Sequence, residues 1–241
     1  MIGGQKWSPF FMLYLKIVFN FRYIYMRVKV TIPNDLSEIK LHQYQKFLKV
    51  QENNNDDVFL TSKMMEIFCG IKLTDAIKMR ATDVHRITAI LTEMFEQKPK
   101  LKQRFVMNGV EYGFVPNLDD MTLGEYIDLD TYLGNWEKME IAMNVLYRPI
   151  ENKLKDKYTI KEYTAENPEI MQNMPMDAVL GSILFFYRLG IDLSKTMTNY
   201  LEQEEDRTIH LQDSLVRSGD GINQFTHSLK EILEELKISL N

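Results

Sequence analysis

Two stretches of the chain share one phrase. Pro33-Asn34-Asp35-Leu36-Ser37-Glu38-Ile39-Lys40-Leu41-His42-Gln43-Tyr44 is echoed by Pro116-Asn117-Leu118-Asp119-Asp120-Met121-Thr122-Leu123-Gly124-Glu125-Tyr126. Both open on Pro-Asn, pass through acidic residues to an apolar one, and close on Leu-x-x-Tyr. Each follows an extended-type run, Arg27-Val28-Lys29-Val30-Thr31-Ile32 and Val110-Glu111-Tyr112-Gly113-Phe114-Val115. β-branched and aromatic residues favour strands. Proline and asparagine then favour a turn, and a short polar residue caps the helix behind it. The chain is therefore expected to use a strand exit, a turn and a capped helix entry twice. Such a junction builds a scaffold and carries no catalytic signature.

Periodicity supplies the helices between these junctions. Leu41, Tyr44, Phe47 and Leu48 put one apolar face on a helix over residues 41–50. A polar loop at residues 53–57 leads to a second helix, residues 59–70, with Gly70 as its stop. Residues 71–77 read as a short turn and another helix start. Residues 81–97 form an amphipathic helix along Val84, Ile87, Ile90, Leu91, Met94 and Phe95, with Thr82 or Asp83 as its N-cap. His85 lies beside this stripe and reads as a partnered structural histidine. Asn108-Gly109, between apolar flanks, predicts a two-residue hairpin. Helices are expected over residues 123–132 and 135–147, the latter closed by Arg148-Pro149. Residues 151–175 read as a charged surface excursion with a short strand at Tyr158-Thr159-Ile160. Residues 177–189 are apolar nearly all round, which predicts a buried central helix ending at Gly190. A further helix over residues 192–205 runs into an acidic cluster.

The fold class that follows is α+β and predominantly helical. It has a helical body, a small antiparallel β-hairpin sheet and a C-terminal amphipathic helix. The division is an aromatic, basic extension (residues 1–25), an α+β body (26–200), and an acidic segment with the amphipathic helix (201–241). The extension contains Lys6, Lys16 and Arg22, no acid, and eight aromatic residues. Its charges argue against a membrane span, and no small-residue cleavage site marks a signal peptide. The natural start is expected at Met26, or the segment is a poorly structured extension.

Chemistry is sparse. The net charge of −5 gives no general pull toward nucleic acid. Cys69 is the single cysteine, so an intramolecular disulfide and a cysteine-based zinc cluster are excluded. Its apolar surroundings read as a buried, inert thiol. His42, His85, His210 and His227 show no ligand spacing. There is no phosphate-binding loop, dinucleotide fingerprint or nucleophile elbow. Asp119-Asp120 and Asp128-x-Asp130 are carboxylate pairs, but the first stands where turn and cap residues are needed. No catalytic, cofactor-binding or metal-binding residue is assigned. An enzyme on a helical scaffold stays open as the alternative from another class.

The first phrase, from Ile32 to Phe47, resembles the opening of small tail proteins of tailed bacteriophages. The stretch from Asn108 through Leu129 and Val145-Leu146-Tyr147-Arg148-Pro149-Ile150 are similar to the same group, the baseplate-hub family of T-even-like phages. The likeness covers roughly residues 26–202, and no functional residue carries over. It implies a non-enzymatic tail or baseplate protein, structural or assembling, with other tail or baseplate proteins as partners. A homo-oligomer is a further option. A tail-assembly chaperone absent from the mature virion is the alternative. The location implied is the host cytoplasm during assembly, and the virion tail for a structural component. Neither nucleic acid nor a membrane span is expected, and no cofactor. Such a protein works by hiding roughly 1,200–2,000 Å² per interface, anchored by a few aromatic or arginine residues. Candidate anchors are Tyr44, Tyr126, Tyr132, Trp136, Tyr147 and Arg148, each with a core position as its competing reading. On the C-terminal helix they are Phe225, Leu229, Ile232 and Leu236.

Overall fold

The structure, a computed structural model, describes residues 31–203, with side chains through residue 196. Four helices come first: α1 (Leu41–Glu52), α2 (Asp57–Cys69), α3 (Leu73–Ala76) and α4 (Ala81–Phe95). Strands β1 (Arg104–Met107) and β2 (Val110–Phe114) follow, then α5 (Leu123–Tyr132) and α6 (Met139–Leu146). Strands β3 (Tyr147–Leu154) and β4 (Lys157–Ile160) complete an antiparallel sheet of order β1-β2-β3-β4. Helix α7 spans Met176–Gln203. The molecule is thus α+β and predominantly helical. The expected strand at residues 27–32 falls largely outside the described residues, and Thr31 and Ile32 are not in a strand. The C-terminal helix with Phe225, Leu229, Ile232 and Leu236 also lies outside them.

Local chemistry sets most boundaries. Asp56 accepts from the Val58 and Phe59 N–H groups, at 2.9 and 3.3 Å, so α2 starts at Asp57, ahead of the expected Phe59. The N-cap of α4 is Arg80, with no side-chain cap, rather than Thr82 or Asp83. Asp83 sits in the first turn, where a carboxylate suits the positive end of the helix, and pairs with Arg80 at 3.3 Å and Arg86 at 3.6 Å. Ile87, Leu91 and Met94 bury the α4 stripe, and His85 is exposed. Asn108 and Gly109 both have positive φ, 52° and 79°, which makes the hairpin turn as expected.

Strand β3 departs from the expected helix end and surface excursion. Helix α6 stops at Leu146, and Tyr147 begins a strand that includes Pro149. Proline lacks the N–H that a ladder needs. Here it falls where β3 changes partners: pairing with β2 ends at Tyr112↔Pro149, and pairing with β4 begins at Ile150↔Ile160. The Pro149 carbonyl still accepts from Lys161 N–H at 3.0 Å.

Helix α7 runs unbroken through Gly190. A helical glycine costs about 1 kcal/mol against alanine, and no proline follows to stop the helix. Its first half is the centre of the core, with Ala178, Val179, Leu180 and Ile183 fully buried. Tyr147 is packed against it, also fully buried, and donates its hydroxyl hydrogen to Lys102 O at 2.7 Å. Ser182 Oγ lies 3.2 Å from that hydroxyl. The start of α7 is strapped to the chain's first phrase. Leu41 N–H donates to Met174 O and Met176 N–H to Ile39 O, both at 2.9 Å, around a Lys40–Pro175 bridge.

Candidate interaction surface

Both phrases fold into the same unit, in a register one residue off the shared Pro-Asn. Asp35 caps a 3-10 turn at Leu36–Glu38, and Asn117 caps one at Leu118–Asp120. Two extended residues follow in each case, then the helix at Leu41 or Leu123. Thus Leu36 matches Leu118, Lys40 matches Thr122, and Tyr44 matches Tyr126.

The second copy is held by side chains. Thr122 and Glu125 form a capping box: Thr122 N–H donates to Glu125 Oε2 at 2.6 Å, and Glu125 N–H to Thr122 Oγ1 at 3.3 Å. Glu125 is buried, and its other oxygen lies 2.8 Å from Arg148 Nη1 of β3. Three residues on, Asp128 accepts the Tyr163 hydroxyl at 2.6 Å. Burial and the Asp128 carboxylate push the Tyr163 phenol well above its usual range, so it stays a donor. Leu129 and Leu133 fill the core side of α5.

The opposite side is open. Leu123, Tyr126 and Ile127 are 74%, 60% and 52% exposed. Their spacing of i, i+3 and i+4 makes one continuous apolar stripe, and Asp130 extends it by a turn. Residues 116–137 contain six acids and no lysine or arginine. Glu125, Asp128 and Glu137 are taken up by Arg148, Tyr163 and Lys49. Asp119, Asp120 and Asp130 are exposed, and no ion pair to them forms among the described residues.

The other candidate anchors occupy different places. Tyr44 is buried, its ring 4.9 Å from that of Trp136. Trp136 is half-buried, and its carbonyl accepts from Gln45 at 2.8 Å. Tyr132 is half-buried under Lys138, whose ammonium lies 5.7 Å from the ring centroid. Tyr147 is in the core, and Arg148 is engaged by Glu125. Tyr126 alone of these six stands clear on the surface. The sequence pattern gives Leu123 and Ile127 no prominence, because Leu129 and Leu133 already supply α5 with a core stripe. The available signal was a second apolar stripe on a ten-residue helix.

No helix among the described residues is long and apolar enough to cross a membrane. Among the same residues, no three histidine, cysteine or acidic side chains gather as a metal site. Cys69 is half-buried, and burial pushes its thiol up to about 11, so it is little ionised near neutrality. No family model matches the chain, and neither a curated protein nor a solved structure is significantly similar to it.

Proposed function

We propose that this chain is a non-enzymatic bacteriophage tail or baseplate protein, structural or assembling, that acts through protein–protein contacts. The observation that supports this most directly is the outward stripe of Leu123, Tyr126 and Ile127. It lies within the stretch that carries the baseplate-hub resemblance. An isolated exposed leucine means little, but three apolar side chains in register on one rigid helix form an anchor for a partner. Tyrosine is enriched among such anchors.

Two measurements test the reading. Affinity capture of the tagged chain from infected cells is expected to recover tail or baseplate proteins. Mass spectrometry of purified virions then separates a component, present in mature particles, from a chaperone, present only during assembly in the host cytoplasm. Recovery of no tail protein in either experiment would sink the proposal.

A further inference from the structure

We infer that the outward face of α5 docks a basic, apolar segment of a partner protein. This rests on the reading of the chain as an interaction protein, and it names the surface and the chemistry of what lands there. The partner's apolar side chains sit on Leu123, Tyr126 and Ile127. Its lysine or arginine side chains face Asp119, Asp120 and Asp130.

Three features support that occupant. The first is the stripe itself, whose three side chains are all more than half exposed. The second is charge. The acids at both ends of the stripe, Asp119 and Asp120 before it and Asp130 one turn after it, have no basic neighbour in residues 116–137. A cationic partner gains from every one of them, and an acidic partner is repelled. The same sign disfavours a second copy in a two-fold contact, because that arrangement lays this acidic face on itself. It equally disfavours nucleic acid and anionic lipid. The third feature is preorganisation. Glu125 is locked to Arg148, Asp128 to Tyr163, and the helix start by a capping box, so α5 holds its outward face in place before a partner arrives.

The test uses the full chain and a fluorescein-labelled amphipathic helical peptide of leucine and lysine, followed by anisotropy. A twin with glutamate in place of lysine is the control. The lysine peptide is expected to bind, more tightly as salt falls, and the glutamate twin is not. Tyr126→Ala combined with Leu123→Ser is expected to weaken binding at least about tenfold. Asp119→Asn, Asp120→Asn and Asp130→Asn together are expected to weaken it about tenfold at low salt and to flatten its salt dependence. All five positions are exposed, so unchanged thermal melting confirms that the variants fold.

Undiminished binding by either variant, or equal binding of both peptides, overturns the inference. So does a dimer that Tyr126→Ala dissociates, which makes a second copy the occupant. Residues 1–34 carry five bases and no acid. If the lysine peptide binds only a Lys6→Glu, Lys16→Glu, Arg22→Glu variant, the chain's own basic segment holds the face and the partner inference fails. Peptide binding without capture of tail proteins keeps the docking surface and sinks the tail assignment. Capture of tail proteins that Tyr126→Ala leaves unchanged does the reverse.

Discussion

Tyr44 is 6% exposed and Tyr126 is 60% exposed, although they occupy the same step of the same turn-and-helix unit. Leu41 and Leu123, three residues earlier, differ more: 0% against 74%. The local chemistry of the two copies is nearly the same. Each has an Asx-capped 3-10 turn, and each N3 side chain reaches back to the N-cap N–H: Gln43 to Lys40 at 2.8 Å, Glu125 to Thr122 at 2.6 Å. Lysine has no acceptor, so the first copy has only that half of a capping box. What separates them is the distant partner. The first copy is strapped by backbone bonds to the start of α7, and His42 Nδ1 donates to Gln172 O at 2.9 Å. The second is tied at its inner face by the Glu125–Arg148 pair, which leaves its outer face free. Short-range sequence thus specifies the junction, and long-range contacts decide which face of the helix meets water.

The sharpest way to break the comparison is Glu125→Ala. The paired side chains are only 4% and 12% exposed, and removing one partner of a buried pair typically costs about 3–5 kcal/mol. Urea denaturation is expected to show a loss of that order. A loss below about 1 kcal/mol would mean that the second copy is held by something else. Next come the matched leucines. Leu41→Ala is expected to cost about 2–5 kcal/mol and Leu123→Ala no more than about 0.5 kcal/mol. Equal losses would remove the distinction between a core copy and a surface copy.

A smaller effect of opposite sign is expected at the position after Leu123. Gly124 stands where the first copy has His42, and a Cβ there meets nothing within 4 Å. Gly124→Ala is therefore expected to stabilise the protein by about 0.5–1 kcal/mol, read as a raised melting temperature. The smallest effect concerns the caps. The Ser37 hydroxyl and backbone N–H hold the Asp35 carboxyl below its usual value, whereas its counterpart Asn117 does not titrate. Stability from a lowered carboxyl is complete above its unfolded value of about 3.9 and is lost as pH falls through the folded one. Carboxyl NMR is expected to place the Asp35 midpoint below that of a free aspartate, and Asp35→Asn to remove this part of the acid limb. An unshifted midpoint would contradict the cap.

Much of the helical plan was legible because it is written in neighbours. Leu41, Tyr44, Phe47 and Leu48 point to α1 and Asn108-Gly109 to the hairpin, whereas the cap expected at Asp119-Asp120 falls instead to Thr122, because both aspartates are taken into the 3-10 turn that Asn117 caps. Strand β3 was not legible. Pro149 normally argues against a central strand, and only the tertiary pairing shows that its missing N–H falls at the change of partners. Gly190 misled in the same way, since a local breaker is overridden when the helix around it is well supported. The shared Pro-Asn disguised the true register, because Asn117 caps in the second copy whereas Asp35, one residue after Asn34, caps in the first. The outward stripe was half legible. Tyr126 stood out as an aromatic, but the exposure of Leu123 and Ile127 depends on which side of α5 Glu125 turns toward Arg148.

The strap between Ile39–Leu41 and Met174–Met176 also bears on how the chain is made. Its two sides are separated by some 135 residues of sequence, so the ribosome delivers the second side on the order of ten seconds after the first, at about 5–20 residues per second. Until then Leu41, at the start of α1, lacks its backbone partner Met174, while Tyr44 already has Phe95 and Trp136 to pack against. Closing contacts so distant in sequence carries a large loop-entropy cost and is slow. Force profiles of nascent chains are expected to show the main folding pull only after α7 has left the exit tunnel.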